Sequence, residues 1–340
     1  MCPPANPVPV SFPEKALPLR TASHAGPIAF RLGQIDALAR VVLASPALYT
    51  PEMRGSLALR WLSRAWDQYR QDRAIALGAA LIGAECTATR NAFLTLLERA
   101  LPSREKPLRQ AIRMSRKIAI RPIADEAAQA EAIVAASTPE LDAVLAVLAE
   151  SRLPGDPLER LLALIDRFRY SAGNDSDGLS ATARTPCWVI NLAAVARGHG
   201  FHLAESPLPF PGIVQRRLFR ADRDADERRA DTNEALLDAL HDAACDIARV
   251  PRAADVFARE FPSQRSNSRL FPAWMLLLGL GALTPAQLAR ALPATKAGAA
   301  KLLRQLEAKH LVHHQGPFEP FVVSISLPVA FPDWRYSAAA

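Results

Sequence analysis

The sequence predicts a mainly α-helical protein, and three observations carry that expectation. Ala and Leu dominate a chain that is 50% hydrophobic but only 6% aromatic. Apolar residues recur at helical spacing along most of its length, with proline opening several of these runs, where its missing N–H costs nothing. Alternating, strand-like patterns are almost absent before residue 318. At 340 residues the chain exceeds one small core, so a multi-helix domain followed by a smaller C-terminal unit is expected.

The first segment, MCPPANPVPVSFPEKALPLR, holds six prolines and lacks the apolar run of a signal peptide, and residues 1–25 are expected to be a disordered arm. A helical domain is then expected over 26–262. Its first helix covers 29–44, with Leu32, Ile35, Leu38, Ala39 and Val42 inward, and a second runs from Pro51 to about residue 69 on Leu57, Leu59, Trp61, Leu62 and Trp66. A long third helix is predicted over 73–100, its Ala-Gly-Ala stretch admitting a close neighbour. Further helices fit 107–118, 123–136, 139–150 and 157–170, the last carrying Leu158, Leu161, Leu162, Ile165 and Phe168 at helical spacing. After a polar break, 187–197 is a short apolar helix and 201–212 is irregular. The charge run 220–231 enters a helix over 232–249 that Pro251 ends or kinks, with 253–261 continuing it. Trp61, Trp66, Phe93, Phe168, Trp188 and Trp274 sit at apolar helix positions and read as core.

Residues 263–270 read as a linker, 271–330 as the C-terminal unit and 331–340 as a tail. Within the unit, 271–280 is an apolar helix. Thr284, Pro285 and Gln287 then form a Thr-x-x-Gln capping box that starts a second helix, with Leu288 and Leu292 on one face and Pro293 ending it. Thr295 caps a third, whose apolar side is Ala299, Leu302, Leu303 and Leu306 and whose other side carries Lys296, Lys301 and Arg304. Beyond Leu311 and Val312, two extended stretches flank the Gly316-Pro317 turn, with Val323 and Ile325 alternating with Ser324 and Ser326. Three helices followed by a hairpin is the layout of a winged helix-turn-helix.

TPAQLARAL followed by ATKAGAAKLLRQLEAKHLV resembles the winged helix-turn-helix of MarR-type bacterial regulators over about residues 271–327. That family has a Thr or Ser cap, a basic-faced reading helix, then Leu, Glu and a closing Leu-Val. His310 stands where the pattern usually has a glycine of positive φ, and Pro293 where the turn often has glycine. The resemblance implies that Thr295, Lys296, Ala297, Ala300, Lys301 and Arg304 face double-stranded DNA, with backbone contacts from His313, His314 and Gln315 in the wing. It also implies a homodimer, since such helices work in pairs on half-sites one DNA turn apart. From residue 265 onward, eight Lys and Arg stand against three Asp and Glu, and the whole chain is +7 with a pI near 9.6. A transcriptional regulator is therefore expected; the alternative is a helical adaptor whose winged helix docks on protein.

A second basic stretch spans 103–121, where Arg104, Lys106, Arg109, Arg113, Arg116, Lys117 and Arg121 oppose only Glu105. Arg109, Arg113, Arg116 and Lys117 suit phosphate contacts. A solvated face paired with Asp125, Glu126 and Glu131 is the commoner use of such a pattern.

No catalytic role is expected. The seven histidines are dispersed; His199 and His202 form a pair in a loop with only Glu205 near, and His241, Asp242 and Cys245 read as a polar helix face. Asn174 to Gly178 lacks calcium-loop spacing and reads as a turn. Nucleotide-loop, esterase and zinc-protease motifs are missing, so neither metal nor cofactor is predicted. Cys2, Cys86, Cys187 and Cys245 have no paired spacing and read as reduced thiols of a cytoplasmic protein. The longest apolar run, 273–283, is short of the roughly 20 residues of a membrane span, and no membrane partner is expected.

Overall fold

The computed structural model describes residues 26–40, 45, 48–75, 80–169, 186–203, 208–219, 224–265, 268–314, 316 and 319–324, which form eleven α-helices and one small sheet. In chain order the helices are α1 (Pro27–Leu38), α2 (Pro51–Asp72), α3 (Thr87–Ala100), α4 (Lys106–Ile118), α5 (Ala124–Leu148), α6 (Pro157–Arg169), α7 (Cys187–Ala196), α8 (Ala225–Glu260), α9 (Leu270–Leu280), α10 (Pro285–Ala291) and α11 (Lys296–Glu307). The strands are β1 (Ala282–Leu283), β2 (Val312–His313) and β3 (Phe321–Val323). The fold is mainly α. Among the described residues, no helix is long and apolar enough to cross a membrane. The arm over 1–25, the tail over 331–340 and the turn at Asn174–Gly178 lie outside the described residues.

Helix α2 is the hub. It packs against α4, α7, α8 and α9, and so buries residues on several sides, from Met53 and Leu57 to Trp66 and Tyr69. Its closest neighbour is α9. A Cβ on Gly279 would stand 2.6 Å from the Ser56 carbonyl oxygen and 2.9 Å from Leu59 Cβ, so only glycine lets these backbones approach. Around the hub, α3 lies on α5, α1 and α6 lie on α8, and α10 lies on α4 and α11. One contiguous apolar cluster runs from Ile28 to Phe321, so α9–α11 share a core with the preceding helices. Trp66, Phe93 and Trp274 are fully buried in it, Trp61 and Trp188 nearly so, and Phe168 packs at its edge.

Buried polar ties fix how the helices sit on one another. Asp246 of α8, 1% exposed, accepts from Arg60 Nε and from Arg64 Nη1 at 3.0 Å, and Arg64 also pairs with Asp242. Asp72 closes the C-terminal end of α2, accepting from Asn191 Nδ2 (2.8 Å), Gln68 Nε2 (2.8 Å) and the Cys187 thiol (3.4 Å). Burial pushes the Asp72 carboxyl and the Cys187 thiol above their ordinary values. The Cys187 thiol also reaches Val214 O at 3.5 Å, so this cluster ties α2 and α7 together inside the core.

Two sequence expectations are corrected. The run 73–100 is not one helix: α2 stops at Asp72, Ala74 and Cys86 take left-handed conformations (φ 52° and 55°), and α3 begins at Thr87. Conversely, 123–136 and 139–150 are one continuous helix, α5, with Pro139 inside it. The carbonyl four residues before Pro139 belongs to exposed Ala135, so losing that bond leaves no acceptor stranded in the core. Pro251 lies within α8, which starts at Ala225 and continues over 253–260 as expected, to end at Glu260. Here the orphaned carbonyl is that of Ile247, and the buried Tyr49 hydroxyl donates to it at 3.3 Å. Finally, β1 was not anticipated; two residues between Gly281 and the Thr284 cap are too few to show a period.

Candidate nucleic-acid interface

The C-terminal unit is built from local signals upward. Gly281, at φ 81°, ends α9 and lets the chain turn into β1. Thr284 Oγ1 accepts from Gln287 N at 3.3 Å while Gln287 Oε1 accepts from Thr284 N at 2.8 Å, the reciprocal capping box that opens α10. Thr295 Oγ1 accepts from Gly298 N at 3.1 Å and opens α11. At the far end of α11, His310 N donates to Glu307 O (2.8 Å) and Leu311 N to Leu306 O (3.1 Å), the two bonds of a Schellman turn. That turn needs a left-handed residue, and His310 supplies it at φ 57°. Histidine therefore occupies the backbone conformation that glycine takes without strain.

Strand β3 lies between the other two, antiparallel to both. Leu283 faces Phe321 across one ladder and Val312 faces Val323 across the other. The Ser324 hydroxyl donates to His310 O at 2.8 Å and fastens the hairpin to the end of α11. Ile325, Ser326 and Gln315 lie outside the described residues.

Helix α11 has two distinct sides. Ala299, Leu303 and Leu306 are buried, and Leu302 packs partly against them. Thr295, Lys296, Ala297, Lys301 and Arg304 are exposed on the opposite side, and Ala300 is half-buried at its margin. Of the acids nearby, Glu307 is engaged by His314 Nδ1 at 2.5 Å and Glu260 by Lys309 at 3.6 Å. The His314 ring also stacks on Phe321, with centroids 4.4 Å apart. His314 is thus committed to holding the hairpin, whereas His313 is exposed on β2.

The four α4 cations expected to suit phosphates diverge. Arg109 donates to Leu101 O (2.7 Å) and Pro102 O (3.4 Å), tying down the loop before the helix. Arg116 reaches Glu98 (2.5 Å) and Thr95 Oγ1 (3.3 Å) on α3 rather than Asp125, Glu126 or Glu131. Glu126 instead caps α5 through Ile123 N. Arg113 is exposed, and Lys117 donates to Ala291 O at 3.4 Å. Arg290 of α10 answers by donating to Ile118 O at 2.7 Å, and the Gln287 amide donates to Ile82 O at 2.9 Å. Helix α10 is therefore bolted to the body on two sides while α11 projects its basic face outward. These long-range ties had no sequence signal, since each links a side chain to a distant backbone carbonyl.

The other histidines and cysteines singled out in the sequence make local contacts. His202 Nδ1 lies 2.8 Å from Gly155 O, and His199 is held below its ordinary value by burial and by Arg104 and Arg197. Cys245 Sγ is 3.4 Å from His241 Nε2, but burial and the Asp242 and Asp246 carboxylates push this thiol up, away from the thiolate a nucleophile needs. No group of three or more His, Cys, Asp or Glu able to hold a metal occurs among the described residues.

No protein-family model matches the chain, and no curated protein is significantly similar to it.

Proposed function

We propose that this is a DNA-binding protein, a transcriptional regulator, whose C-terminal unit is a winged helix-turn-helix that inserts α11 into the major groove. The observation that supports this reading best is the order helix, strand, helix, helix, hairpin, with β3 between β1 and β2, around an α11 whose outward side carries Lys296, Lys301 and Arg304. Thr295 and Lys296 stand at the helix start, where base edges are within reach; Lys301 and Arg304 contact bases or phosphates farther along. Ala297 and Ala300 leave room for close approach to the groove floor. His313 touches the backbone from the hairpin. The helical body supplies dimerisation, effector sensing or partner docking, and the working form is a cytoplasmic homodimer reading two half-sites.

The test is repeated selection from a random duplex pool with the intact chain. The proposal expects an enriched motif with two half-sites separated by about one helical turn, roughly 10 base pairs. A pool that remains random after repeated rounds contradicts it. Exposed Ala297 beside half-buried Ala300 also fits a docking surface for a protein, the adaptor reading; that complex would survive moderate salt, whereas DNA binding weakens steeply with it.

A further inference from the structure

We infer that α4 is a second DNA-contacting element, placing Arg113 and Lys117 on the phosphates that border the groove entered by α11; this rests on the DNA-binding reading above. Lys106, Gln110, Arg113 and Lys117 recur at i, i+4, i+7 and i+11 of α4, and all four are exposed. They form one continuous strip along the helix. The strip follows the C-terminal unit. At one end Lys106 and Gln110 border, with Pro272, Met275 and Leu292, a groove of about 420 Å³. At the other, Lys117 lies against Ala291 O at the end of α10, 3.4 Å away.

Distance makes the strip relevant. Ala291 precedes the Thr295 cap by four residues. That length of chain spans at most about 14 Å, which is close to the roughly 12 Å width of the major groove. With Thr295 at the base edges, Lys117 therefore stands no farther away than the phosphates that border the groove. An ammonium has three donors, so the bond to Ala291 O leaves two for phosphate oxygens. The adjoining acids leave this end of the strip positive. Glu105 precedes the helix and Glu52 stands across the groove, both at the Lys106 end, while Glu98 is already taken by Arg116. Arg109 and Arg116 do not take part, because their guanidinium groups are spent on Leu101, Pro102, Glu98 and Thr95.

The experiment is a salt series of fluorescence anisotropy with the full chain on a random-sequence duplex of about 30 base pairs, comparing wild type with Arg113→Gln/Lys117→Gln. Glutamine at 117 keeps a donor for Ala291 O while removing the charge, and both sites are exposed, so circular dichroism should be unchanged. The expected result is a log K against log salt slope shallower by about 2. Affinity near 0.1 M salt should fall roughly 8-fold per contact, on every sequence alike. An unchanged slope in the α4 variant, with binding still lost in Lys301→Ala/Arg304→Ala, overturns the α4 contact and leaves the DNA-binding reading standing. A wild-type chain that binds no duplex at low salt overturns both.

Discussion

Replacing Gly279 by alanine tests the packing of α9 on α2, the contact that anchors the C-terminal unit to the body. Helix propensity alone favours the change by about 0.8–1.0 kcal/mol in a helix interior, and by less here because α9 ends at Leu280. Against this, the new methyl would meet Ser56 O at 2.6 Å, Leu59 Cβ at 2.9 Å and Ser56 Cα at 3.2 Å. Carbon contacts are comfortable only at about 3.5–4.0 Å, so α9 must back away by several tenths of an ångström, and part of the surrounding dispersion is lost. Overpacking of this kind costs about 1–3 kcal/mol. The net expectation is destabilisation by about 1–2 kcal/mol, read in urea as a midpoint lowered by about 0.5 M if the slope is about 3 kcal/mol/M. Gly33→Ala in α1 is the matching control: a Cβ there meets nothing within 4 Å, so the same substitution should stabilise by about 0.5–1 kcal/mol. Equal shifts of the same sign at both positions would refute the close-approach argument.

Other consequences follow from the backbone and from burial. His310→Gly should stabilise the protein by about 0.5–1 kcal/mol, the relief of a left-handed histidine less the added freedom of the unfolded chain; a loss of stability in urea would contradict the strain argument. Tyr49→Phe strips the Ile247 carbonyl of its donor and should cost about 1–2 kcal/mol in the same assay, and no cost would mean that water reaches it. Burial raises the Tyr49 phenol well above its ordinary value of 10.0, so the unfolded chain ionises first. The Tyr49 contribution to stability should therefore be level below about pH 10 and fall as the pH rises above it, a decline that Tyr49→Phe reduces in alkaline unfolding curves.

What could be read from the sequence was local. The caps at Thr284 and Thr295, the apolar side of α11 and the exposure of Lys296, Lys301 and Arg304 all follow from spacing within a dozen residues. The left-handed position of His310 came from the resemblance to MarR-type regulators, whose pattern usually has glycine there, and the chain takes φ 57° at that residue. Continuity through Pro139 was not legible, and at Pro251 an end, a kink and a continuation all stayed open. Proline locally signals a stop, and the compensation at Pro251 comes from Tyr49, far away in sequence. The break after Asp72 was hidden in a run of good helix formers; its carbonyl oxygen accepts from Arg216. In the basic stretch 103–121 the charges were legible but their partners were not. Arg109 and Arg116 are absorbed by the loop and by α3, Lys117 reaches the end of α10, and Arg113 is exposed between them.

Binding of genomic duplex fragments by the intact chain, followed by anisotropy across a salt series beside Lys301→Ala/Arg304→Ala, tests the central claim most directly. The account predicts tight binding that weakens steeply with salt and is lost in the double variant, with some fragments preferred over the pool. A folded wild-type protein that binds no fragment at low salt, or a double variant that binds as well as wild type, would contradict it.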